Sequence, residues 1–251
     1  MHDREGLLRV SRLLCSYSSH LMGCGVHTSR VVRNTKRLGL AFDVYVTLST
    51  FQNTMSISVM DMITNKVHSE IFEVGKSPIL FSHNTELSAL SWDAIDNKLS
   101  VEEVEEKYNK VLSKHLLHPK LVLLMVSLAN LSFCKLFGGD AISMLIVFVA
   151  TALGFFLKQI MTKWMCNNYM TIFTSSFIAS IICSISFLFD CTSNICMATS
   201  VLYLIPGVPL VNGVIDIIEG YTLMGLTRLI NCALIILFIS VGLGLTLILT
   251  K

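Results

Sequence analysis

Apolar residues recur at helical spacing over Leu7, Leu8, Val10, Leu13, Leu14, Tyr17 and Leu21, which predicts a first amphipathic helix. Gly23-Cys-Gly25 supplies a turn, and Val26 to Leu38 reads as a second helix with Arg30, Arg33 and Arg37 on one side. That basic stripe reads first as a solvated face and second as a surface for lipid head groups or a partner. From Phe42 the period falls to two. Phe42, Val44, Val46 and Leu48 alternate with polar positions, Met55, Ile57 and Val59 repeat the pattern, and Thr64-Asn65-Lys66 turns the chain into Val67 to Val74. Three consecutive strands predict an antiparallel meander packed on helices. Asn84 to Leu99 returns to a helical pattern. Ser100-Val-Glu-Glu103 then forms a capping box, in which the serine accepts from the third helical amide and the glutamate reaches back. The Glu102, Glu103, Glu105 and Glu106 cluster precedes Lys107, Lys110 and Lys114, which suits the helix dipole and reads as a solvated face. His115 and His118 lie three apart with no third ligand, and His118-Pro119 is expected to end the helix and the domain.

Beyond Pro119 the pattern becomes continuously apolar. Five runs, about 120–137, 141–157, 169–189, 195–214 and 228–249, predict five transmembrane helices, the first two short or tilted. Phe137-Gly-Gly-Asp140 makes a tight polar turn between the first two, with Gly139 and Asp140 as secondary site candidates. In the third run Ser176, Ser180 and Ser184 recur every four residues beside Thr171, Ser175, Ala179 and Cys183. Hydroxylated and small residues at this spacing allow close helix approach, with a hydrophilic path wall through Ser176 and Ser180 as the other reading. The expected fold is therefore a cytoplasmic α+β domain, residues 1–118, followed by an all-α membrane domain of about five transmembrane helices, residues 119–251.

Composition agrees. Of 251 residues, 53% are hydrophobic and only 14% charged, against about 25% charged in a soluble domain. A net charge of +2 with no basic run argues against a nucleic-acid partner. The charged start gives no sign of a cleavable signal peptide. The eight cysteines contain no CxxC pair and the seven histidines do not cluster with them in sequence, so neither a zinc site nor any other metal or cofactor is expected. With the amino terminus inside, Lys114, Lys120, Lys158, Lys163 and Arg228 face the cytoplasm, while Lys135 and Lys251 lie opposite. Five spans then place the carboxyl terminus outside.

The chemistry centres on Leu204-Ile-Pro-Gly-Val-Pro-Leu-Val-Asn-Gly-Val-Ile-Asp216. Pro206 and Pro209 remove backbone donors, and Gly207 and Gly213 loosen the chain beside them. A helix broken inside hydrocarbon must have its freed backbone groups satisfied, and such breaks are where many transporters hold cargo. A kink that merely shapes packing is the plainer reading. Asn212 and Asp216 continue one face of this helix, so Asn212 is a candidate for hydrogen bonding cargo and Asp216 for taking up a proton or a cation. Desolvation there is expected to raise the Asp216 pKa. Asp216 at the water boundary, merely ending the span, is the alternative.

That stretch, with Gly220, Gly225 and Arg228 after it, resembles the signature of the threonine/serine exporter family, in particular its short YjjP-like members. Phe137-Gly-Gly-Asp140 resembles the family's turn between its first two spans, and Gly25 through Thr28-Ser-Arg30-Val31 its glycine-to-Arg-Val segment. The likeness is strong over 204–228 and looser elsewhere. His27 and Val32 stand where the family often has acidic residues around the front arginine. The resemblance adds Arg228 to the substrate-path candidates. It implies a cytoplasmic region followed by five spans, a second five-span membrane subunit, and export of threonine, serine or dicarboxylates such as succinate.

The leading expectation is thus a multi-pass subunit in the inner or plasma membrane of a prokaryote, working in the lipid bilayer as part of an oligomer. It would export a small amino acid or dicarboxylate down an ion gradient. No GxxxxGK[ST] sequence suggests an ATP-driven motor. A membrane hydrolase would need a GxSxG or HExxH arrangement, and none occurs, so no enzyme activity is expected. A membrane-anchored sensor or scaffold whose cytoplasmic domain recruits a partner fits the odd span count but leaves the Pro-Gly-Val-Pro segment unexplained.

Overall fold

The computed structural model of the protein describes residues 4–51, 53–75, 77–114, 117–189 and 191–250. The chain forms two compact units. One comprises the described residues of Met1–His115 with Val208–Leu229, the other those of Leu116–Gly207 with Ile230–Lys251. His115 and Lys251, which entered the histidine-pair and orientation expectations, lie outside the described residues.

In the first unit, α1 (Arg4–Gly23) and α2 (Thr28–Ala41) pack on an antiparallel meander of β1 (Val44–Thr50), β2 (Thr54–Asp61) and β3 (Val67–Glu73). The expected period-two alternation is real: Val44, Val46 and Leu48 are buried on β1, and Met55, Ile57 and Val59 on β2. Register follows from it, with Val46 opposite Val59 and Leu48 opposite Ile57, so one face closes over the apolar stripe Leu7, Val10, Leu14, Tyr17 and Leu21 of α1. Between β2 and β3, the Asp61 carboxylate accepts from the Ile63 and Thr64 amides at 2.8 and 2.7 Å, which fixes the turn.

Two further helices complete this core, α3 (Phe81–Asp96) and α4 (Val101–Leu112). The capping box on α4 forms as expected, the Glu103 amide donating to Ser100 Oγ at 3.3 Å and the Ser100 amide to Glu103 Oε2 at 2.8 Å. Acidic and basic residues of this helix and just beyond its end pair across the surface, Arg9 with Glu105, Lys107 with Asp93 and Lys114 with Glu86. Exposed pairs of this kind stabilise little, because water screens them and holding two long side chains costs entropy. The helix ends at Leu112, not at His118-Pro119. His118 instead caps the next helix, accepting from the Lys120 amide, and Pro119 occupies its first turn, where a missing N–H is no loss.

The second unit is helical: α5 (Pro119–Leu136), α6 (Ala141–Lys163), α7 (Asn168–Ser184) continued by a 3₁₀ turn to Leu188, α8 (Ser193–Thr199), and the part of α10 (Thr222–Thr250) from Ile230. Among the described residues, four helical segments, Pro119–Leu136, Ala141–Lys163, Asn168–Leu188 and Thr222–Thr250, are long and apolar enough to cross a membrane. A fifth is possible only as an interrupted pair, Ser193–Leu204 with α9 (Gly207–Ile218). The second helix is longer than its apolar run because Lys158–Lys163 continue it to 23 residues, about 35 Å. Leu121, Leu124, Met125 and Leu128 stand exposed on α5, as side chains meeting lipid must.

Neutral hydrogen bonds join these helices. Asn130 donates to Thr151 Oγ1 at 2.7 Å and to the Thr199 carbonyl at 3.0 Å, linking α5, α6 and the end of α8. Ser176 donates to the Ile239 carbonyl at 2.9 Å, and Ser180 and Thr246 share a 2.6 Å bond, joining α7 to α10.

Candidate functional site

The interrupted stretch resolves into three pieces. A 3₁₀ turn ends at Leu204, Ile205 is extended, and α9 begins immediately after Pro206. Pro209 falls in the first turn of α9, where its missing amide would have had no helical partner. The two prolines therefore act differently: Pro206 occupies the break, and Pro209 helps start the helix after it. A Cβ on Gly207 would meet nothing within 4 Å.

Along α9, Asn212, Gly213 and Asp216 form the buried face. Gly213 is needed for proximity. A Cβ there would lie 3.2 Å from the Gly225 carbonyl oxygen, and one on Gly225 only 2.5 Å from that of Gly213, so α9 and the start of α10 meet backbone to backbone. This contact brings Arg228, on α10, beside α9.

Asp216 is fully buried. Its Oδ1 accepts from the Thr28 amide at 2.7 Å and its Oδ2 from the Thr28 hydroxyl at 3.0 Å, while Arg228 Nε lies 3.3 Å from Oδ2. Thr28 is the first residue of α2, and the local N-cap position, His27, makes no side-chain cap of its own. A carboxylate from another helix thus takes the place that a capping residue would fill, where backbone N–H groups and the helix dipole favour negative charge. Arg228 also donates to the Val26 carbonyl at 2.9 Å, and Asn212 Nδ2 to the Gly25 carbonyl at 2.6 Å. The loop between α1 and α2 is therefore held by three side chains from α9 and α10.

Beside it lies a more exposed cluster. Glu219 accepts from Ser29 Oγ and pairs with His27 Nδ1 at 3.4 Å and Arg33 Nη1 at 3.5 Å. The Ser29 hydrogen bond, then His27 and Arg33, hold the Glu219 pKa below the ordinary carboxylate value. Burial lowers that of His27. The basic stripe of α2 is accordingly only partly solvated. Arg33 faces Glu219, and Arg37 lies 3.6 Å over the Trp92 ring and donates to Ser91 and Asn34.

Of the expected site residues, the structure brings Asn212, Asp216 and Arg228 together, with Pro206, Gly207 and Pro209 at the start of the same helix. Gly139 and Asp140 form a separate cap. Asp140 accepts from the Ser143 amide at 3.1 Å and the Thr192 hydroxyl at 2.9 Å, and hydrogen bonding first from the Ser143 side chain, then from Thr192 and the two amides, draws its pKa down to about 2. A Cβ on Gly139 would come within 2.5 Å of Cys134 Sγ, and the preceding Gly138 has φ +90°, so both glycines are geometric requirements of this turn. Ser176 and Ser180 belong to the seam between α7 and α10. Sequence reasoning missed Thr28 as the partner of Asp216, since 188 positions separate them. It also missed a group formed by His20, Cys24 and His83 in the first unit. The only sequence sign of that group was a histidine and a cysteine four apart at a helix end.

The family model described as "Putative threonine/serine exporter" matches residues 12–250. The "Probable succinate transporter subunit YjjP" of Klebsiella aerogenes is 26% identical over 247 residues, covering 96% of this chain and 93% of that protein. The protein of the same description from Escherichia coli strain K12 is 27% identical over 241 residues, covering 93% and 91%. No solved structure matches the chain.

Proposed function

The chain belongs to the threonine/serine exporter family, and on that premise we propose that it is a membrane subunit exporting a small carboxylate-bearing metabolite of the threonine, serine or succinate class. It does so under an ion gradient, with a second small membrane subunit completing the transporter. The word "subunit" in the relatives' descriptions supports the partner, and their naming of succinate supports a carboxylate cargo. The positive-inside distribution of lysines supports a cytoplasmic amino terminus.

The observation that carries this reading is the buried Asp216 carboxylate, shared between Arg228 and the start of α2. An arginine beside a helix N-terminus is a general carboxylate receptor. Here the protein's own carboxylate occupies it. A proton on Asp216 removes the charge that Arg228 and Thr28 stabilise, and leaves these donors to the carboxylate of a cargo molecule. Loss of the proton restores the internal pair and expels the cargo. Proton uptake and cargo binding are thereby made alternatives at one set of donors.

Asp216→Asn tests this in membrane vesicles containing both subunits. The amide keeps the size but has no titratable charge. The variant is expected to insert and assemble, to lose gradient-driven efflux, and to retain exchange of labelled for unlabelled cargo. Wild-type efflux with wild-type pH dependence, in a fully expressed variant, would end the coupling role.

A further inference from the structure

We propose that His20, Cys24 and His83 form a binding site for a zinc-class transition-metal ion, with water as the fourth ligand. His20 lies in the last turn of α1 and Cys24 follows four residues later. The Cys24 amide donates to the His20 carbonyl at 2.9 Å, so the helical spacing that sets both side chains on one face persists past Gly23. His83 comes from the first turn of α3, which is tied to the same place by the Leu80 amide donating to the Cys24 carbonyl at 3.3 Å.

The three ligand atoms all lie within 4.8 Å of one another. His20 Nε2 is 3.0 Å from His83 Nδ1 and 3.4 Å from Cys24 Sγ. Zinc bonds of ~2.0–2.1 Å to nitrogen and ~2.3 Å to sulfur, at tetrahedral angles, put ligand atoms roughly 3.3–3.7 Å apart. Both separations from His20 are within tenths of an ångström of these values, and Cys24 and His83 lie within 4.8 Å of each other. Hydrogen bonding alone satisfies the three side chains poorly. His20 Nε2 has one proton or one lone pair, yet two partners face it. A cation at their common centre takes one lone pair from each. Two imidazoles and a thiolate are a borderline-soft donor set, suited to zinc and unsuited to calcium or magnesium. Cys24 and His83 are buried whereas His20 is partly exposed, which leaves an approach for the ion and room for water on the histidine side.

The position gives the site a role. Cys24 immediately precedes the loop whose Gly25 and Val26 carbonyls are held by Asn212 and Arg228 and whose Thr28 amide meets Asp216. An ion fixed on Cys24 pins this loop at its amino-terminal end. Metal binding itself is independent of the transport reading and can be tested without it.

The full chain, purified in detergent and stripped with a chelator, is titrated with cobalt(II) and then zinc(II). One equivalent of cobalt is expected to give a thiolate-to-metal charge-transfer band and intense tetrahedral ligand-field bands, both displaced by zinc. Cys24→Ser should abolish the charge-transfer band, His83→Ala should weaken binding at least 100-fold, and Cys166→Ser, at an exposed cysteine, should change neither. A weak octahedral spectrum, or a charge-transfer band that survives Cys24→Ser, would overturn the proposal. Should either ligand variant fail to fold, X-ray absorption of the zinc-loaded wild type decides: one sulfur at ~2.3 Å with nitrogen at ~2.0 Å is expected, and a shell without sulfur refutes the site.

Discussion

The unit holding α1 to α4 and α9 buries an acidic side chain completely and meets it with a guanidinium and the open end of a helix. In the helical unit, every buried polar side chain among the described residues is a hydroxyl or the Asn130 amide. The contrast follows from what a helix offers. A hydroxyl can donate to the carbonyl one turn back, as Ser127 does to Leu123, or across a seam, as Ser176 does to Ile239. A carboxylate needs donors, and the amides in the middle of a helix are already used. A turn, a helix start or a cationic side chain remains; Asp61 uses turn amides, and Asp216 has found the other two. The neutral seams join helices through hydroxyls and one amide, whereas Asp216 is met by a guanidinium and a helix start.

Arg228→Met is the severest test of this difference. It strands a buried carboxylate, which costs about 3–5 kcal/mol, and should markedly lower the thermal midpoint in detergent. Adding Asp216→Asn should recover part of the loss; no recovery would mean that Arg228 acts mainly through its contact with the Val26 carbonyl. Asn130→Ala should cost less, about 1–3 kcal/mol, by leaving the Thr151 hydroxyl and Thr199 carbonyl without their shared donor. Ser180→Ala should cost below about 1 kcal/mol, since Thr246 retains the Gly242 carbonyl as an acceptor. A seam variant as damaging as Arg228→Met would erase the distinction.

The smallest effect is electrostatic. Glu219 has its folded pKa depressed from 4.5, so its contacts with Ser29, His27 and Arg33 stabilise the fold at pH values above that ordinary value and are lost as the pH falls through the lowered one. Glu219→Gln should lower stability near neutrality, where the charged contacts are fully present, and flatten the profile in the acid range, so that variant and wild type converge below the lowered pKa. A melting series from pH 7 down to pH 3 measures it.

Much of this was legible in the chain. Alternation gave β1 and β2 and their buried faces, the Thr64-Asn65-Lys66 turn led into β3, Ser100 and Glu103 gave the cap on α4, and the apolar runs located the long helices. Boundaries were misread where a polar continuation carried the helix onward, as at Lys158–Lys163, or where a proline served the following helix, as Pro119 does. In the site, the spacing of Asn212 and Asp216 correctly put them on one face. The resemblance supplied Arg228. What they touch was hidden, because Gly25, Val26 and Thr28 offer backbone groups that every residue possesses. The histidine–cysteine cluster was hidden for a different reason: its third member stands on α3, and nothing local to His83 marks it.

The cap on α2 also sets a timetable. Thr28 emerges from the ribosome 188 residues before the aspartate that completes it. At ~5–20 residues per second, that interval is about 10–40 s. For that time the nascent chain carries an uncapped helix and a loop without Asn212 or Arg228, while the intervening apolar helices are being delivered to the membrane. The amino-terminal unit therefore cannot mature on its own schedule. Its last hydrogen bonds close only after most of the hydrophobic chain has been synthesised, so its completion reports that synthesis has advanced past α9.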